Sequence, residues 1–245
     1  MAIEVFNRIE KKYLITEDVY GKFFDKIIPY MEMDAFCKDG KFYSINNIYF
    51  DTENNDLIRT SIDKPAYKEK LRLRSYGVPE FNDIVFLEIK KKYNGIVNKR
   101  RTLLKLNQAY DFLFDGIMPS EGDYLNAQVL KELKFFMEFY NPVAKLFLAY
   151  DRVAMFGKDD ENLRITADRN IRTRRYDLRL EDGDYGDKLL QDGQVLIEIK
   201  IASSFPVWLV DILTELDMKG TSFSKYGTEY RQFMDNTLQK RGATC

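Results

Sequence analysis

Three short segments of this chain alternate aliphatic with charged residues, and this alternation constrains the fold more than any other feature. Leu71-Arg72-Leu73-Arg74, Leu87-Glu88-Ile89-Lys90 and Ile197-Glu198-Ile199-Lys200 all repeat with a period of two. That is the period of a β-strand, whose successive side chains point to opposite faces, so each segment reads as a strand with one apolar and one ionic face. They belong to a set of eight alternating or β-rich runs, at 3–14, 41–51, 66–76, 83–93, 96–104, 144–154, 162–168 and 194–202. Helical periodicity fills the intervals at 16–31, 106–116, 123–140, 205–217 and 225–240. No Pro/Gly/Ser-rich linker interrupts the series, so the expectation is one domain over 1–245 with a frayed tail from about 236. Strands with helices inserted between them predict an α+β fold with a mostly antiparallel sheet of about eight strands.

The ionic faces carry more information than the apolar ones. Lys68, Lys70, Arg72 and Arg74 form an unbroken basic row, and Arg8, Glu10 and Lys12 share a face of the first strand. The pair Glu-x-Lys recurs as Glu10/Lys12, Glu88/Lys90 and Glu198/Lys200. A solvated face explains any one strand taken alone. Taken together, so many charged strands predict a closed antiparallel β-barrel whose ionic faces line a bore, with helices packed outside. Such a bore cannot be dry, because each unpaired buried ion costs several kcal/mol against a total stability of roughly 5–15 kcal/mol. Water and a counter-charged ligand must fill it. An excess of Lys and Arg selects an anion with several phosphates. Glutamates within that basic field fit Mg²⁺ or Mn²⁺, hard ions bound by carboxylate and phosphate oxygens.

Composition narrows the chemistry further. The chain has 245 residues, 45% hydrophobic and 14% aromatic, enough for a real core, but no histidine. That absence excludes Ser-His-Asp and Cys-His catalysis and leaves carboxylates, lysines or metal electrostatics. Phosphoryl transfer needs little else, since positioning and charge neutralisation do most of the work. With 38 Lys+Arg against 39 Asp+Glu, no global attraction to nucleic acid is visible. Two cysteines, Cys37 and Cys245, are too few for a disulfide framework. The N-terminus is no signal peptide and no run approaches a membrane span, so a soluble, cytoplasmic protein is expected.

Seven segments, in order, carry a family resemblance: Arg8-Ile9-Glu10-Lys11-Lys12-Tyr13, Leu71-Arg72-Leu73-Arg74, Leu87-Glu88-Ile89-Lys90, Tyr150-Asp151-Arg152, Leu163-Arg164-Ile165, Ile197-Glu198-Ile199-Lys200 and Ser224-Lys225-Tyr226. Over roughly 3–235 the chain resembles the VTC-type polyphosphate polymerase domain of the CYTH/triphosphate tunnel metalloenzymes. The resemblance implies a β-tunnel that binds the triphosphate of ATP with Mn²⁺ or Mg²⁺ and transfers the γ-phosphate to a growing polyphosphate chain. It implies Lys12, Arg72, Arg74, Lys90, Arg152, Arg164 and Lys225 as phosphate ligands, and Lys70, Lys99, Arg100 and Lys200 as further cations of the bore. Glu198 is implied as the metal carboxylate, assisted by Glu10 and Glu88. The expected partners are ATP and polyphosphate but no nucleic acid, with a separate membrane protein as the candidate macromolecular partner at the inner face of a membrane.

Two departures qualify the match. Arg8 stands where the superfamily begins Glu-x-Glu-x-Lys, which disfavours the simple triphosphatase branch and agrees with VTC-type domains. Ser222 stands where the eukaryotic VTC pattern has a second lysine, which removes one phosphate contact. The regulatory and membrane segments of eukaryotic members are not in the sequence, which reads as a bacterial or isolated catalytic domain. Hydrolysis of tripolyphosphate or nucleoside triphosphates in the same tunnel is the alternative enzymatic reading, and a non-catalytic polyphosphate or inositol-polyphosphate binding module is the alternative of a different class. Ser222-x-x-Lys225 lacks the companion triplets of serine-lysine acyltransferases. Arg172, Arg174 and Arg175 read as a solvated strand end, or else as a contact for exiting polyphosphate.

Overall fold

The computed structural model describes residues 9–37, 40–94, 96–120 and 126–242. Within them, period-two alternation becomes strand and period-3.6 patterning becomes helix. In chain order these are β1 (Ile9–Thr16), α1 (Glu17–Ile27), β2 (Met31–Met33), β3 (Tyr43–Asp51), α2 (Asp56–Ile62), β4 (Tyr67–Tyr76), β5 (Ile84–Tyr93), β6 (Ile96–Lys105), α3 (Leu106–Asp115), α4 (Ala127–Tyr140), β7 (Val143–Gly157), β8 (Arg164–Arg174), β9 (Asp187–Lys188), β10 (Gln194–Ile201), α5 (Val207–Glu215) and α6 (Lys225–Gly242). The helix expected over 16–31 stops early. After Ile27 comes a 3-10 turn, Ile28–Tyr30, with Pro29 at its centre, and the chain turns into β2. Helix α2 has no counterpart in the sequence reading. Its N-terminus is held from outside by the buried Asp51 carboxylate, which accepts from the Leu57 and Ile58 amides at 2.8 and 2.9 Å.

The chain divides into two compact units, the first made of Met1–Ser44, Tyr150–Arg172 and Leu190–Phe223, the second of Ile45–Ala149, Thr173–Leu189 and Ser224–Cys245. In the first unit β10 lies between β1 and β8, antiparallel to both, with Tyr13 opposite Ile197 and Ile197 opposite Ala167. That face is apolar and packs on Phe23 and Ile27 of α1 and on Leu209, Ile212 and Leu213 of α5. Trp208, the second residue of α5, stacks on the Tyr30 ring, 4.2 Å between centroids. Cys37 is buried and its Sγ donates to the Ala154 carbonyl at 3.1 Å. Cys245 lies outside the described residues.

In the second unit β3, β4, β5 and β6 form an antiparallel meander. Leu71, Leu73, Val85, Leu87, Ile89 and Leu104 face a core shared with Phe112 and Leu113 of α3 and Leu130, Leu133 and Phe136 of α4. Burying each large aliphatic or aromatic side chain contributes roughly 1.5–3 kcal/mol, so helix cover commits this face of the meander and leaves the other for its ionic residues.

The α+β class and the large antiparallel sheet agree with the sequence. Closure of the sheet does not appear. The hydrogen-bonded order runs β1-β10-β8-β7-β3-β4-β5-β6, with β2 on β7 and β9 on β8. No pairing among the described residues joins β6 back to β1. The outer edge of β1 is instead occupied by a short segment: Tyr13 bridges Gly220, and the Thr221 amide donates to the Lys12 carbonyl at 2.7 Å. No helix among the described residues is long and apolar enough to cross a membrane.

Candidate functional site

Cross-strand register decides what the charges of the second unit meet. Lys68 lies opposite Lys92, Lys70 opposite Lys90, and Lys90 in turn opposite Lys99. Like charges placed directly across a sheet oppose its formation. On this face β4 contributes Lys68, Lys70, Arg72 and Arg74, β5 contributes Lys90 and Lys92, and β6 contributes Lys99, Arg101 and Lys105. These nine cations share the face with a single carboxylate from the same three strands, Glu88.

Glu88 is 2% exposed and clasped from several sides. Its carboxylate accepts from Arg72 Nε at 2.7 Å, meets Lys99 Nζ at 2.5 Å, and lies 3.8 Å from Arg74. Burial alone would raise its pKa, but Arg72, Arg74 and Lys99 outweigh burial and hold the carboxyl well below the usual range. Arg72 also donates to Tyr49 Oη at 3.2 Å, and Arg74 donates to the buried Asn47 Oδ1 at 2.9 Å. Both guanidiniums are therefore oriented before any ligand arrives. Lys99 is pushed down to about 7, first by burial and then by Arg72 and Arg74, against the opposing pull of Glu88. Its side chain keeps 40% exposure, so water tempers that shift.

The first unit carries a different, balanced arrangement. Glu10 faces Lys200 and Lys12 faces Glu198 across β1 and β10, so charges alternate both along and across the strands. Lys12 Nζ lies 3.3 Å from Glu10 and 3.4 Å from Glu198, and Lys200 Nζ lies 3.8 and 3.2 Å from the same two groups. Next to them Arg152 makes a two-pronged pair with the buried Asp168, at 2.6 and 2.7 Å. Burial works against the Arg152 charge, but Asp168, Tyr150 and Glu198 keep it well above its ordinary pKa. Arg164 lies opposite Lys200, with Asp34 at 3.6 Å, and its Nε is buried without a hydrogen-bond partner. Four cations thus meet four carboxylates.

The remaining expected residues are placed as follows. Lys225 opens α6 in the second unit, and the ring of the next residue, Tyr226, lies 4.9 Å from that of Tyr49. Arg100 is not brought to the cationic face. It lies opposite Ile89, on the helix-covered side, and pairs with Glu132 of α4. Its neighbour Arg101 is opposite Glu88 on the cationic face, exposed, with its guanidinium 5.1 Å from the Phe86 ring centroid. Three consecutive cations, Lys99-Arg100-Arg101, hide the parity of β6 in the sequence, so Arg101 was missed. Arg174 is no solvated strand end: it is 2% exposed, donates to the carbonyls of Asp177, Arg179 and Tyr185, and lies between the Phe147 and Tyr185 rings. Arg172 pairs with Asp151 and Arg175 with Glu229. Arg8 lies outside the described residues.

Donor chemistry tests whether a divalent ion suits these residues. Glu10 and Glu198 are drawn together by the same two lysines, and Thr166, opposite Glu198, has a buried hydroxyl without a hydrogen-bond partner. Hard oxygen donors of this kind fit Mg²⁺ or Mn²⁺. No group of three or more His, Cys, Asp or Glu able to hold a metal occurs among the described residues. Phosphate oxygens and water would complete the shell, as Mg²⁺ ordinarily requires.

Fold and site together define an α+β protein whose antiparallel strands carry one strongly cationic face and one balanced ionic cluster. The family model described as the VTC domain matches residues 7–234, and the chain belongs to that family. No curated protein matches it. Among solved structures it is similar to a candidate adenylate cyclase from Bacillus halodurans, at 15% identity and TM-score 0.55, over 89% of this chain and 93% of that one. A candidate adenylate cyclase from Vibrio parahaemolyticus gives 13% identity and TM-score 0.51, over 92% and 98%. The Hippeastrum candidate adenylyl cyclase HpAC1, described as having a dominant triphosphatase activity, gives 15% and 0.50, over 89% and 92%. At these identities the likeness establishes the fold.

Proposed function

We propose that the protein is an ATP-dependent polyphosphate polymerase. The observation that carries this reading is the nine-to-one excess of cations over carboxylate on one face of β4, β5 and β6, with lysine set opposite lysine. A face built against its own repulsion suits a ligand with many closely spaced negative charges, and VTC family membership favours polyphosphate as that ligand. In the reaction, a terminal oxygen of the acceptor chain forms a bond to the γ-phosphorus of ATP. The bond from that phosphorus to the β,γ-bridging oxygen breaks, and ADP departs with the electron pair. The attacking oxygen is already anionic, so no general base is needed and the missing histidine is no obstacle. Arg72 and Arg74, preset by Glu88, Tyr49 and Asn47, hold phosphate oxygens through paired donors. Arg164 serves the same purpose in the first unit, and Arg152, whose Nε and Nη2 are held by Asp168, adds its positive charge and its remaining N–H bonds. Glu10 and Glu198 would hold Mn²⁺ or Mg²⁺, which neutralises charge on the transferred group.

Incubation of the purified protein with ATP and Mn²⁺ tests the proposal, with products resolved on a gel. Long-chain polyphosphate with stoichiometric ADP is expected. Phosphate release without polymer would support a hydrolase instead, a reading favoured by the triphosphatase activity described for HpAC1. Unchanged ATP with tight polyphosphate binding would point to a binding module.

Two further outcomes follow from the cationic face. Arg101→Ala should weaken tripolyphosphate binding about tenfold, the worth of one charge-assisted contact, whereas Arg100→Ala should leave affinity within about twofold. Isothermal titration of both variants checks the difference, and equal losses would refute the assigned parity. Affinity should also fall with rising pH at values below those at which an ordinary lysine titrates, because the lowered pKa of Lys99 removes its proton and one cation there. Lys99→Met should flatten that part of the profile. A profile unchanged by the substitution would remove Lys99 from the site.

A further inference from the structure

The first-unit cluster has a property that neither its phosphate ligands nor its carboxylates show separately. The Lys12 ammonium has three N–H bonds and three oxygens around it: the Phe223 carbonyl at 2.8 Å, Glu10 at 3.3 Å and Glu198 at 3.4 Å. Lys200 lies against the same two carboxylates, at 3.8 and 3.2 Å. The two carboxylates that would hold a divalent ion are thus already neutralised by two tethered monovalent cations. Glu198 is only 10% exposed and also feels the charge of Arg152. A divalent ion entering this arrangement unchanged would add two positive charges beside two ammoniums, at separations where like charges repel even with an effective dielectric of about 20.

We propose that Lys12 and Lys200 lock the Glu10/Glu198 pair against divalent cations until a phosphate chain draws the lysines away, so that polyanion and metal bind with positive coupling. The inference rests on the reading of Glu10 and Glu198 as the ion-holding pair. Phosphate oxygens are the competing acceptors for the two ammoniums. The buried Arg164 Nε, without a hydrogen-bond partner and on the strand position opposite Lys200, is a ready anchor for the arriving anion. Once the ammoniums turn to phosphate, both carboxylates and the Thr166 hydroxyl become available to the cation. By linkage, the cation then raises anion affinity by the same factor. The protein would therefore disfavour a bare metal ion and accept one together with its phosphates, which limits metal occupancy when no substrate is present.

The test measures Mn²⁺ binding to the full chain without any phosphate, from the loss of the free-ion electron paramagnetic resonance signal. Lys12→Met should bind Mn²⁺ about tenfold more tightly than the unsubstituted protein, and Lys200→Met should gain in the same direction. Adding Glu198→Gln to Lys12→Met should abolish the gain. Near-UV circular dichroism and thermal melting establish that each variant is folded, and Lys200→Met serves if Lys12→Met does not fold. Equal affinity in the unsubstituted protein and both lysine variants would overturn the lock. A gain that survives Glu198→Gln would overturn it as well, by locating the ion elsewhere. The same oxyanion-free titration, with Glu198→Gln alone as a further variant, separates the two levels of the argument. Glu198-dependent Mn²⁺ binding without a lysine effect removes the lock but keeps the carboxylate site. No Glu198-dependent binding in any form removes both.

Discussion

Asp168→Ala is expected to cost about 3–5 kcal/mol of stability, the usual consequence of stripping one partner from a buried ion pair. For a chain of this size the loss corresponds to a fall in melting temperature of roughly 10 °C. The carboxylate is fully buried and Arg152 is 8% exposed, so no water replaces the two short bonds of 2.6 and 2.7 Å. The penalty lies less in the lost attraction than in the guanidinium left charged, since Arg does not deprotonate. Asp168→Asn, which keeps one acceptor, should cost less than Asp168→Ala. Arg152→Met combined with Asp168→Ala should recover much of the loss, because it removes the uncompensated charge. Calorimetric melting of the three variants decides this. An Asp168→Ala protein that melts like the unsubstituted one would show that the pair contributes nothing.

Glu198→Gln is expected to lower metal-dependent turnover by on the order of 100-fold or more, beyond the 10–100-fold ordinarily lost with an outer-sphere partner of a metal. Gln is nearly isosteric, so the fold should persist. Glu10→Gln should lose less, because Glu10 is 34% exposed where Glu198 is 10% exposed, and water can stand in for its oxygen. Rates of polyphosphate formation across a Mn²⁺ titration, with circular dichroism as the folding control, provide the measurement. Retention of more than about a third of the activity in a folded Glu198→Gln protein would end the assignment of this carboxylate to the metal. The comparison also separates Glu198 from Glu88, whose removal should disorder Arg72, Arg74 and Lys99 and weaken phosphate binding, with no direct effect on the ion.

Much of this site was legible because β-alternation is a local signal. The segments around Arg72, Glu88 and Glu198 form β4, β5 and β10, each with its aliphatic residues in a core. Where alternation fails, the reading failed with it. In β6 three consecutive cations cover both faces, and a one-residue uncertainty exchanges Arg100 for Arg101. Asp51 illustrates another kind of loss: its carboxylate caps α2 across an intervening loop, and seven residues of α2 have too little periodicity to announce a helix. Arg174 looked like surface because three arginines in four residues look solvated. Its burial depends on two aromatic rings and three carbonyls brought in by folding.

Outside β6, alternation alone assigns the ionic-face residues of these strands, since a strand's side-chain period of two is a property of its own backbone. The sequence by itself also determined that imidazole chemistry is absent. Which charges meet is set by the fold as a whole. Lys12 contacts a carbonyl 211 residues away, Glu10 stands against Lys200, and Lys70 stands against Lys90. Those neighbours follow from strand order and register, which no local pattern encodes, and they make one charged face a balanced cluster and the other an excess of cations.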